Sequence, residues 1–264
     1  MAVTFTVDLE DPSERYDPDG RFVVMTRRIL DLCDSMGQCK ATFFVVGRVA
    51  EAVPQLVYEI ALRGHEIAYH SHNHVSLTNE TPDRFLRESR EDKDRLEQLA
   101  GKKVLGFRAP RFSLTPKTMW ALDVLAECGF RYSASIMPTE TSLFGFPNAP
   151  VVPFLWPCGM IEFPLPVAVV GKYRLPYLGG IYLYTMPFFA VCQFLKKAKP
   201  KEVLWTYVHP YDFDRDELFF RMPDTPLWAS LVLRWGRRVA ARKIARLLEM
   251  GASGPLAERY QKMV

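Results

Sequence analysis

Short apolar runs alternate with helical patterns along the first half of the chain. Runs with strand character are Val3 to Val7, Ala41 to Val46, Glu66 to Tyr69, Lys103 to Phe107 and Tyr132 to Ile136. Helical spacing of apolar residues lies between them, at Phe22 to Met36, Ala50 to Leu62, Thr81 to about Leu99 and Thr115 to about Cys128. This alternation predicts parallel strands joined by helical crossovers, with the polar residues that follow the strands gathered on one face.

The pattern loosens after Met137, where prolines become frequent. We expect long loops with a short strand at Ile161 to Phe163, a helix from about Pro187 to Lys197, and a late buried strand at Val203 to Val208. Trp228 to Met250 has the spacing of a final helix rich in arginine. No internal repeat or domain boundary is evident, so residues 1–264 are predicted to form a single domain.

Composition narrows the class of protein. Hydrophobic residues make up 48% of the chain and charged residues 24%, which is ordinary for a globular domain. The formal charge of +4 is too small to indicate a nucleic-acid partner. The first residues lack the features of a signal peptide, and the five cysteines are scattered without a CxxC pair. We therefore expect a reduced, cytoplasmic protein.

The segment His70-Ser71-His72-Asn73-His74 holds three of the five histidines and directly follows a predicted strand. A metal ion would account for this density, and catalytic metal sites add carboxylate ligands to imidazoles. A helical turn would put His70 and His74 on one face, whereas an extended segment would align all three histidines. Asp8 and Glu10, after the first strand, are the best source of a carboxylate ligand.

Other predicted strand ends supply groups for amide hydrolysis. A water nucleophile needs a base, and the leaving nitrogen needs an acid. Asp8 suits the base and His209, after the last predicted strand, suits the acid. Arg108 follows another strand and is placed to orient the base carboxylate.

Five segments together resemble the polysaccharide deacetylases with the NodB homology domain, carbohydrate esterase family 4. They are Thr6-Val7-Asp8-Leu9-Glu10, His70-Ser71-His72-Asn73-His74, Arg108-Ala109-Pro110, Tyr132-Ser133-Ala134-Ser135 and Val208-His209-Pro210. Within the family, the chain is most similar to the subgroup associated with exopolysaccharide systems, which has a DVED-type first motif and an ending like His209-Pro210-Tyr211-Asp212-Phe213-Asp214.

This resemblance implies a distorted (β/α)7 barrel and removal of N-acetyl groups from an amino sugar in a polysaccharide or lipid-linked glycan. It implies one divalent metal, zinc first with cobalt, nickel or manganese as alternatives. The implied metal ligands are Glu10, His70 and His74. The implied catalytic residues are Asp8 as base, His209 as acid and Arg108 as the residue that orients the base. Arg111, through its backbone N–H, and Tyr211 are the implied substrate contacts.

Three positions depart from the family pattern. Leu9 stands where the family has a metal-binding aspartate, so Glu10 is the expected replacement and Asp11 the second choice. Ser133 stands where an aspartate would support the catalytic histidine, which leaves Asp212 or Asp214 to compensate. Phe112 stands where the family has glycine.

Alternatives remain on sequence grounds. One keeps the site but hydrolyses a small non-sugar amide, as allantoinase-like relatives do. Another is a glycan-binding barrel whose site has lost activity. The arginine-rich helix at about 228–250 either has a solvated basic face or makes a contact. That contact would be with a phosphate-bearing substrate or, peripherally, with the anionic inner face of a membrane.

Overall fold

The structure is a computed structural model that describes residues 2–37, 39–139, 145–216, 219, 221 and 227–264. Its strands are β1 (Val3–Thr4), β2 (Thr6–Leu9), β3 (Thr42–Val45), β4 (Glu66–Tyr69), β5 (Gly106–Phe107), β6 (Tyr132–Ser133), β7 (Phe154–Leu155), β8 (Ile161–Glu162), β9 (Val167–Val170), β10 (Tyr173–Pro176) and β11 (Ala252–Ser253). Its helices are α1 (Arg21–Ser35), α2 (Gly47–Ala52), α3 (Pro54–Leu62), α4 (Pro82–Ala100), α5 (Trp120–Glu127), α6 (Gly180–Thr185), α7 (Phe188–Lys197), α8 (Leu227–Glu249) and α9 (Leu256–Gln261). Short 3₁₀ turns span Leu77–Asn79, Pro110–Phe112 and Pro210–Phe213.

The central sheet runs in the order β2-β3-β4-β5-β6-β8-β7. All neighbours are parallel except β7 and β8, which are antiparallel. On the free side of β2, Trp205 bridges to Thr4 and Val208 to Val7, both in parallel. The predicted last strand therefore lies beside the first, as isolated bridges rather than a continuous ladder. The result is a distorted parallel barrel, which confirms the predicted fold class.

Alternation along the strands sorts side chains into two layers. Phe43, Val45 and Ile67 belong to the larger apolar cluster, which they share with residues of the surrounding helices. Phe44, Ala68 and Trp205 belong to a second cluster. Successive residues of a strand such as Phe43 and Phe44 thus serve opposite faces of the sheet, one toward the helices and one toward the barrel interior.

The C-terminal segment closes the end of the barrel that lies away from the site. β11 pairs with β1 in parallel, and Leu256 of α9 is fully buried in the interior cluster. The backbone N–H groups of Leu256 and Ala257 donate to Thr42 Oγ1 and Glu66 Oε2, respectively. Both acceptors lie at the starts of their strands, opposite the ends from which the candidate site residues come.

Several predicted boundaries were wrong for local reasons. The predicted helix from Ala50 to Leu62 is two helices, because Val53 leaves helical geometry directly before Pro54. The helix expected from Thr115 begins at Trp120, since a hydrogen-bonded turn between Thr115 and Thr118 precedes it. The antiparallel hairpin of β9 and β10 was not predicted.

None of the helices among the described residues is both long enough and apolar enough to cross a lipid bilayer.

Candidate metal centre and active site

Three side chains from two strand ends form a group that could hold a metal ion. One donor atom from each of Glu10, His70 and His74 lies within 4.8 Å of the other two. His74 Nε2 is 2.6 Å from Glu10 Oε2, and the His70 and His74 ring centroids are 5.0 Å apart. The predicted ligands therefore meet in one place, and their role as ligands remains a prediction.

The histidine loop reaches this arrangement through neither conformation considered from the sequence. His70 follows β4 directly, and residues 70–76 form an irregular loop in which Ser71 and His74 have φ of 62° and 54°. Such left-handed values are uncommon for residues other than glycine and often mark functional loops. The backbone N–H groups of Gly47 and Arg48, at the start of α2, donate to the carbonyl oxygens of Ser71 and His72.

His70 is fixed as a neutral ring with one nitrogen available. Its Nδ1 lies 2.8 Å from the carbonyl oxygen of Arg108, so Nδ1–H donates and Nε2 carries the lone pair. Burial lowers the pKa of His70 to about 4, which keeps the ring neutral at pH 7. This is the tautomer and protonation state that a metal-binding imidazole needs.

His72 points away from the group and anchors the loop. Its Nδ1 lies 3.0 Å from Oδ2 of Asp92 on α4, and Asp92 raises the pKa of His72. Glu51, His72 and Asp92 also form a group with metal-like spacing. Arg95 already lies there, 2.6 Å from Asp92 and 3.1 Å from Glu51. This second group is therefore an ion-pair network.

The strand geometry explains why Glu10, rather than Leu9 or Asp11, joins the histidines. Leu9 is fully buried in the outer apolar cluster, so Asp8 and Glu10 on either side of it face the site. Asp11 accepts hydrogen bonds from Ser13 and from the backbone N–H of Tyr16, which commits it to the following turn.

Asp8 and Arg108 form a buried pair beside the cluster. Arg108 Nη1 donates to Asp8 Oδ1 at 2.5 Å, and Arg108 Nε donates to the carbonyl oxygen of Ala134. The guanidinium lies 3.9 Å from the ring centroid of Phe44 and 4.3 Å from that of Trp205. These two aromatic rings were missed from the sequence, although a buried arginine in a barrel interior requires apolar faces to stack on.

The second oxygen of Asp8 faces the reactive side of the site. Asp8 Oδ2 is 4.0 Å from His70 Nε2 and 3.9 Å from His209 Nε2. His209 Nε2 is also 3.8 Å from Glu10 Oε1. At these distances the side chains do not form direct hydrogen bonds with one another, and their polar atoms are close enough to contact one small bound group together.

His209 is supported by a residue only three positions later. Its Nδ1 lies 3.1 Å from Asp212 Oδ2, and its backbone N–H donates to the same oxygen at 2.8 Å. Burial disfavours the charged ring, but the carboxylates of Asp212, Glu10 and Asp8 outweigh burial and raise the pKa of His209 to about 9. Tyr211 is buried and stacks on the His209 ring at 4.5 Å.

The other candidate support, Asp214, is committed elsewhere. Its carboxylate receives two hydrogen bonds from Arg21 at the start of α1. Ser133 also does not reach His209: its hydroxyl donates to Ser135, whose oxygen accepts from the backbone N–H of Ala109. Ser133 therefore belongs to the scaffold under Arg108, and Asp212 is the carboxylate that contacts His209.

The turn after Arg108 departs from ordinary backbone geometry. Arg111 and Phe112 have φ of 56° and 55°. Phe112 thus adopts a conformation suited to the glycine of the family pattern, and its ring packs edge-to-face on Tyr207 at 5.1 Å. Arg111 is partly exposed, and its role as a substrate contact remains a prediction.

The residues present fit a bound divalent cation. Glu10 Oε2 is buried and lies 2.6 Å from His74 Nε2, so a carboxylate oxygen and an imidazole nitrogen face the same point. Burial raises the pKa of Glu10, but His74 and the neighbouring histidines outweigh it and hold that pKa well below its ordinary value. Two imidazole nitrogens and one ionised carboxylate are a donor set that catalytic zinc sites use.

Family models match both halves of the chain. Residues 16–133 match the family model described as polysaccharide deacetylase, and residues 134–260 match a domain of unknown function, DUF3473. Over residues 16–133 the chain is therefore similar to the polysaccharide deacetylase family.

Individual relatives are more distant. The chain is 34% identical over 98 residues to a peptidoglycan-N-acetylglucosamine deacetylase of Bacillus cereus, covering 37% of this chain and 33% of that protein. It is 31% identical over 111 residues to a chitooligosaccharide deacetylase of Sinorhizobium fredii, covering 40% and 47%. The chain thus spans less than half of either relative. A polysaccharide deacetylase structure from Mycobacterium smegmatis has the same fold, with a TM-score of 0.61 at 21% identity, covering 99% of this chain and 89% of that one.

Proposed function

We propose that this protein is a metal-dependent deacetylase that hydrolyses the N-acetyl group of an amino sugar within a glycan. The observation that carries the proposal is the position of Asp8. One of its oxygens is held by Arg108, and the other faces His70 and His209 beside the candidate metal ligands. A base, an acid and a metal site thus converge on one small space, which is the set of groups that amide hydrolysis requires.

Glu10, His70 and His74 would hold the metal, with zinc first and cobalt, nickel or manganese as alternatives. A divalent ion bound there would polarise the amide carbonyl and lower the pKa of the attacking water. His70 offers Nε2 because its Nδ1–H is donated to Arg108. The same arginine therefore fixes both a ligand, through its backbone, and the base, through its side chain.

Asp8 takes the proton of the attacking water on Oδ2. Its other oxygen, Oδ1, stays with Arg108, whose guanidinium is held between Phe44 and Trp205 and cannot turn away. Holding the carboxylate in one orientation reduces the loss of conformational freedom in the transition state.

His209 gives a proton from Nε2 to the leaving nitrogen. A pKa of about 9 means that the ring carries this proton at neutral pH. Asp212 accepts from Nδ1–H and stabilises the charged ring, and Tyr211 packs against its face. We propose that the backbone N–H of Arg111 stabilises the negative charge that develops on the acetyl oxygen.

The substrate class follows from the relatives. Two proteins that are similar to part of this chain act on peptidoglycan and chitooligosaccharides by name. The second half matches a domain typical of exopolysaccharide-associated deacetylases. We therefore propose an N-acetylhexosamine in an exopolysaccharide or its lipid-linked precursor as the substrate.

The test is acetate release from N-acetylglucosamine oligomers by protein loaded in turn with zinc, cobalt, nickel and manganese. We expect release that falls by about 10²-fold or more in Asp8→Asn, the usual loss when a general base is removed. Allantoin serves as the comparison substrate. Hydrolysis of allantoin but of no acetylated sugar would assign the site to small amides, and no hydrolysis of either by folded, metal-loaded protein would refute an enzymatic role.

A further inference from the structure

The helix α8 exposes a row of large apolar side chains. Trp228 is 61% exposed, Leu231 43% and Trp235 62%. Their spacing of three and four residues places them on one face of the helix. Most exposed apolar residues on a protein surface occur singly, so two tryptophans and a leucine in one row indicate a contact surface.

A row of arginines lies beside this apolar row. Arg234, Arg238 and Arg242 are exposed and recur every fourth residue. The Arg238 guanidinium lies 4.5 Å from the ring centroid of Trp235. Within the described residues none of these three arginines has an ion pair. The one acidic residue of α8 is Glu249, the last residue of the helix.

The opposite face fixes α8 firmly on the domain. Lys243 Nζ donates to the carbonyl oxygens of Leu183, Tyr184 and Met186 at the end of α6, at 2.7 to 2.8 Å. Gly236 packs so closely on Tyr184 that an added Cβ would lie 2.6 Å from that side chain. The exposed row is therefore presented by a rigid helix.

We propose that this face of α8, formed by Trp228, Leu231, Arg234, Trp235, Arg238 and Arg242, binds the surface of an anionic lipid bilayer. Tryptophan rings favour the boundary between acyl chains and headgroups, and arginines beside them contact lipid phosphates. The single sign of charge is complementary to an anionic surface. It opposes pairing with a second copy, since a symmetric contact would bring the two arginine rows together.

This surface adjoins the candidate active site. The Arg237 guanidinium of α8 lies 5.2 Å from the Tyr211 ring centroid, and Tyr211 stacks on His209. The helix that carries the exposed face thus also contacts, through its buried side, the residue stacked on the proposed acid. Bilayer binding by α8 would hold the site near the membrane surface.

Vesicle flotation tests the proposal with the full chain. Vesicles of phosphatidylcholine with about one-third phosphatidylglycerol are compared with vesicles of phosphatidylcholine alone. We expect binding to the anionic vesicles that weakens as salt is raised. Replacing Arg234, Arg238 and Arg242 by Gln should weaken it about tenfold or more, since each basic residue near an anionic surface contributes on the order of a fewfold. Trp228→Ser with Trp235→Ser should weaken it at every salt concentration.

Two control variants remove equal charge or a comparable apolar area from other parts of the protein surface. Lys102, Lys117 and Arg131 are exposed, and their replacement by Gln removes equal charge. Tyr58 and Leu62 are 55% and 72% exposed, and their replacement by Ser removes comparable apolar surface. Both control variants should bind vesicles as the unaltered protein does. Absence of binding at low salt, equal loss in the controls, or a dimer that Trp228→Ser with Trp235→Ser dissociates would each overturn the proposal.

Discussion

His209 Nδ1 lies 3.1 Å from Asp212 Oδ2, and the same carboxylate oxygen accepts the backbone N–H of His209. One aspartate thus fixes both the ring and the main chain of the proposed acid. In the family pattern the support comes from a separate strand end, where this chain has Ser133.

The pH dependence of hydrolysis should report this contact. Asp212 helps to raise the pKa of His209 to about 9, and the acid must be protonated to act. Activity is therefore expected below that pH and lost as the pH rises through the pKa. Asp212→Asn removes a charge that raises the pKa, so the alkaline limb of kcat/KM should move to lower pH. Asp214→Asn, which alters a carboxylate paired with Arg21, is the control and should leave the limb in place.

Metal affinity should separate Glu10 from Asp11. Glu10→Gln removes a ligand, and we expect the affinity for zinc to fall by at least about 100-fold, the upper end of losses seen for outer-shell partners. Asp11→Asn weakens hydrogen bonds within the turn and should leave affinity nearly unchanged. Equilibrium dialysis with metal analysis measures both. Equal losses in the two variants would contradict the assignment of Glu10.

Replacing Arg108 alone should destabilise the protein more than replacing Arg108 together with its partner Asp8. Arg108→Met leaves the buried Asp8 carboxylate without its partner, which should cost about 3–5 kcal/mol in the free energy of unfolding. Adding Asp8→Asn removes the unpaired charge and should restore part of that loss. Urea unfolding of the two single variants and the double variant tests this. A double variant less stable than Arg108→Met would show that the pair is not coupled as described.

The left-handed backbone at Phe112 predicts that a glycine variant will be more stable than an alanine variant, the reverse of the usual order. Both Phe112→Ala and Phe112→Gly lose the ring that packs on Tyr207 and should be less stable than the unaltered protein. At φ of 55° glycine avoids the strain of a side chain, so Phe112→Gly should be more stable than Phe112→Ala by about 1 kcal/mol. Thermal unfolding of both variants is the measurement, and the reverse order would show that the turn relaxes.

The sequence predicted parallel strands joined by helical crossovers, because strand and helix periodicity are local signals, and the barrel itself was implied by the resemblance to the deacetylase family. It also predicted which side chains meet, since the carboxyl ends of parallel strands share one edge. The conformation of the loop from His70 to His74 could not be predicted from hydrophobic periodicity, because it depends on residues with left-handed φ and on hydrogen bonds from α2. The sequence also did not predict the role of His72, because its partner Asp92 lies on a helix 20 residues later.

The sequence predicted the residue that supports His209 only as a choice between two aspartates. The sequence alone does not distinguish Asp212 from Asp214 as the residue that supports His209. In the structure Asp214 is bound by Arg21, almost 200 residues earlier in the chain, which leaves Asp212. The stacking of Arg108 between Phe44 and Trp205 likewise joins residues distant in sequence. Such long-range pairings carry no local pattern.

Anomalous diffraction from crystals grown with zinc tests the metal centre most directly. We expect one strong peak about 2.0–2.2 Å from His70 Nε2, His74 Nε2 and a carboxylate oxygen of Glu10, next to Asp8. A peak at Glu51, His72 and Asp92 instead, or no peak at either group in zinc-saturated crystals, would contradict the account.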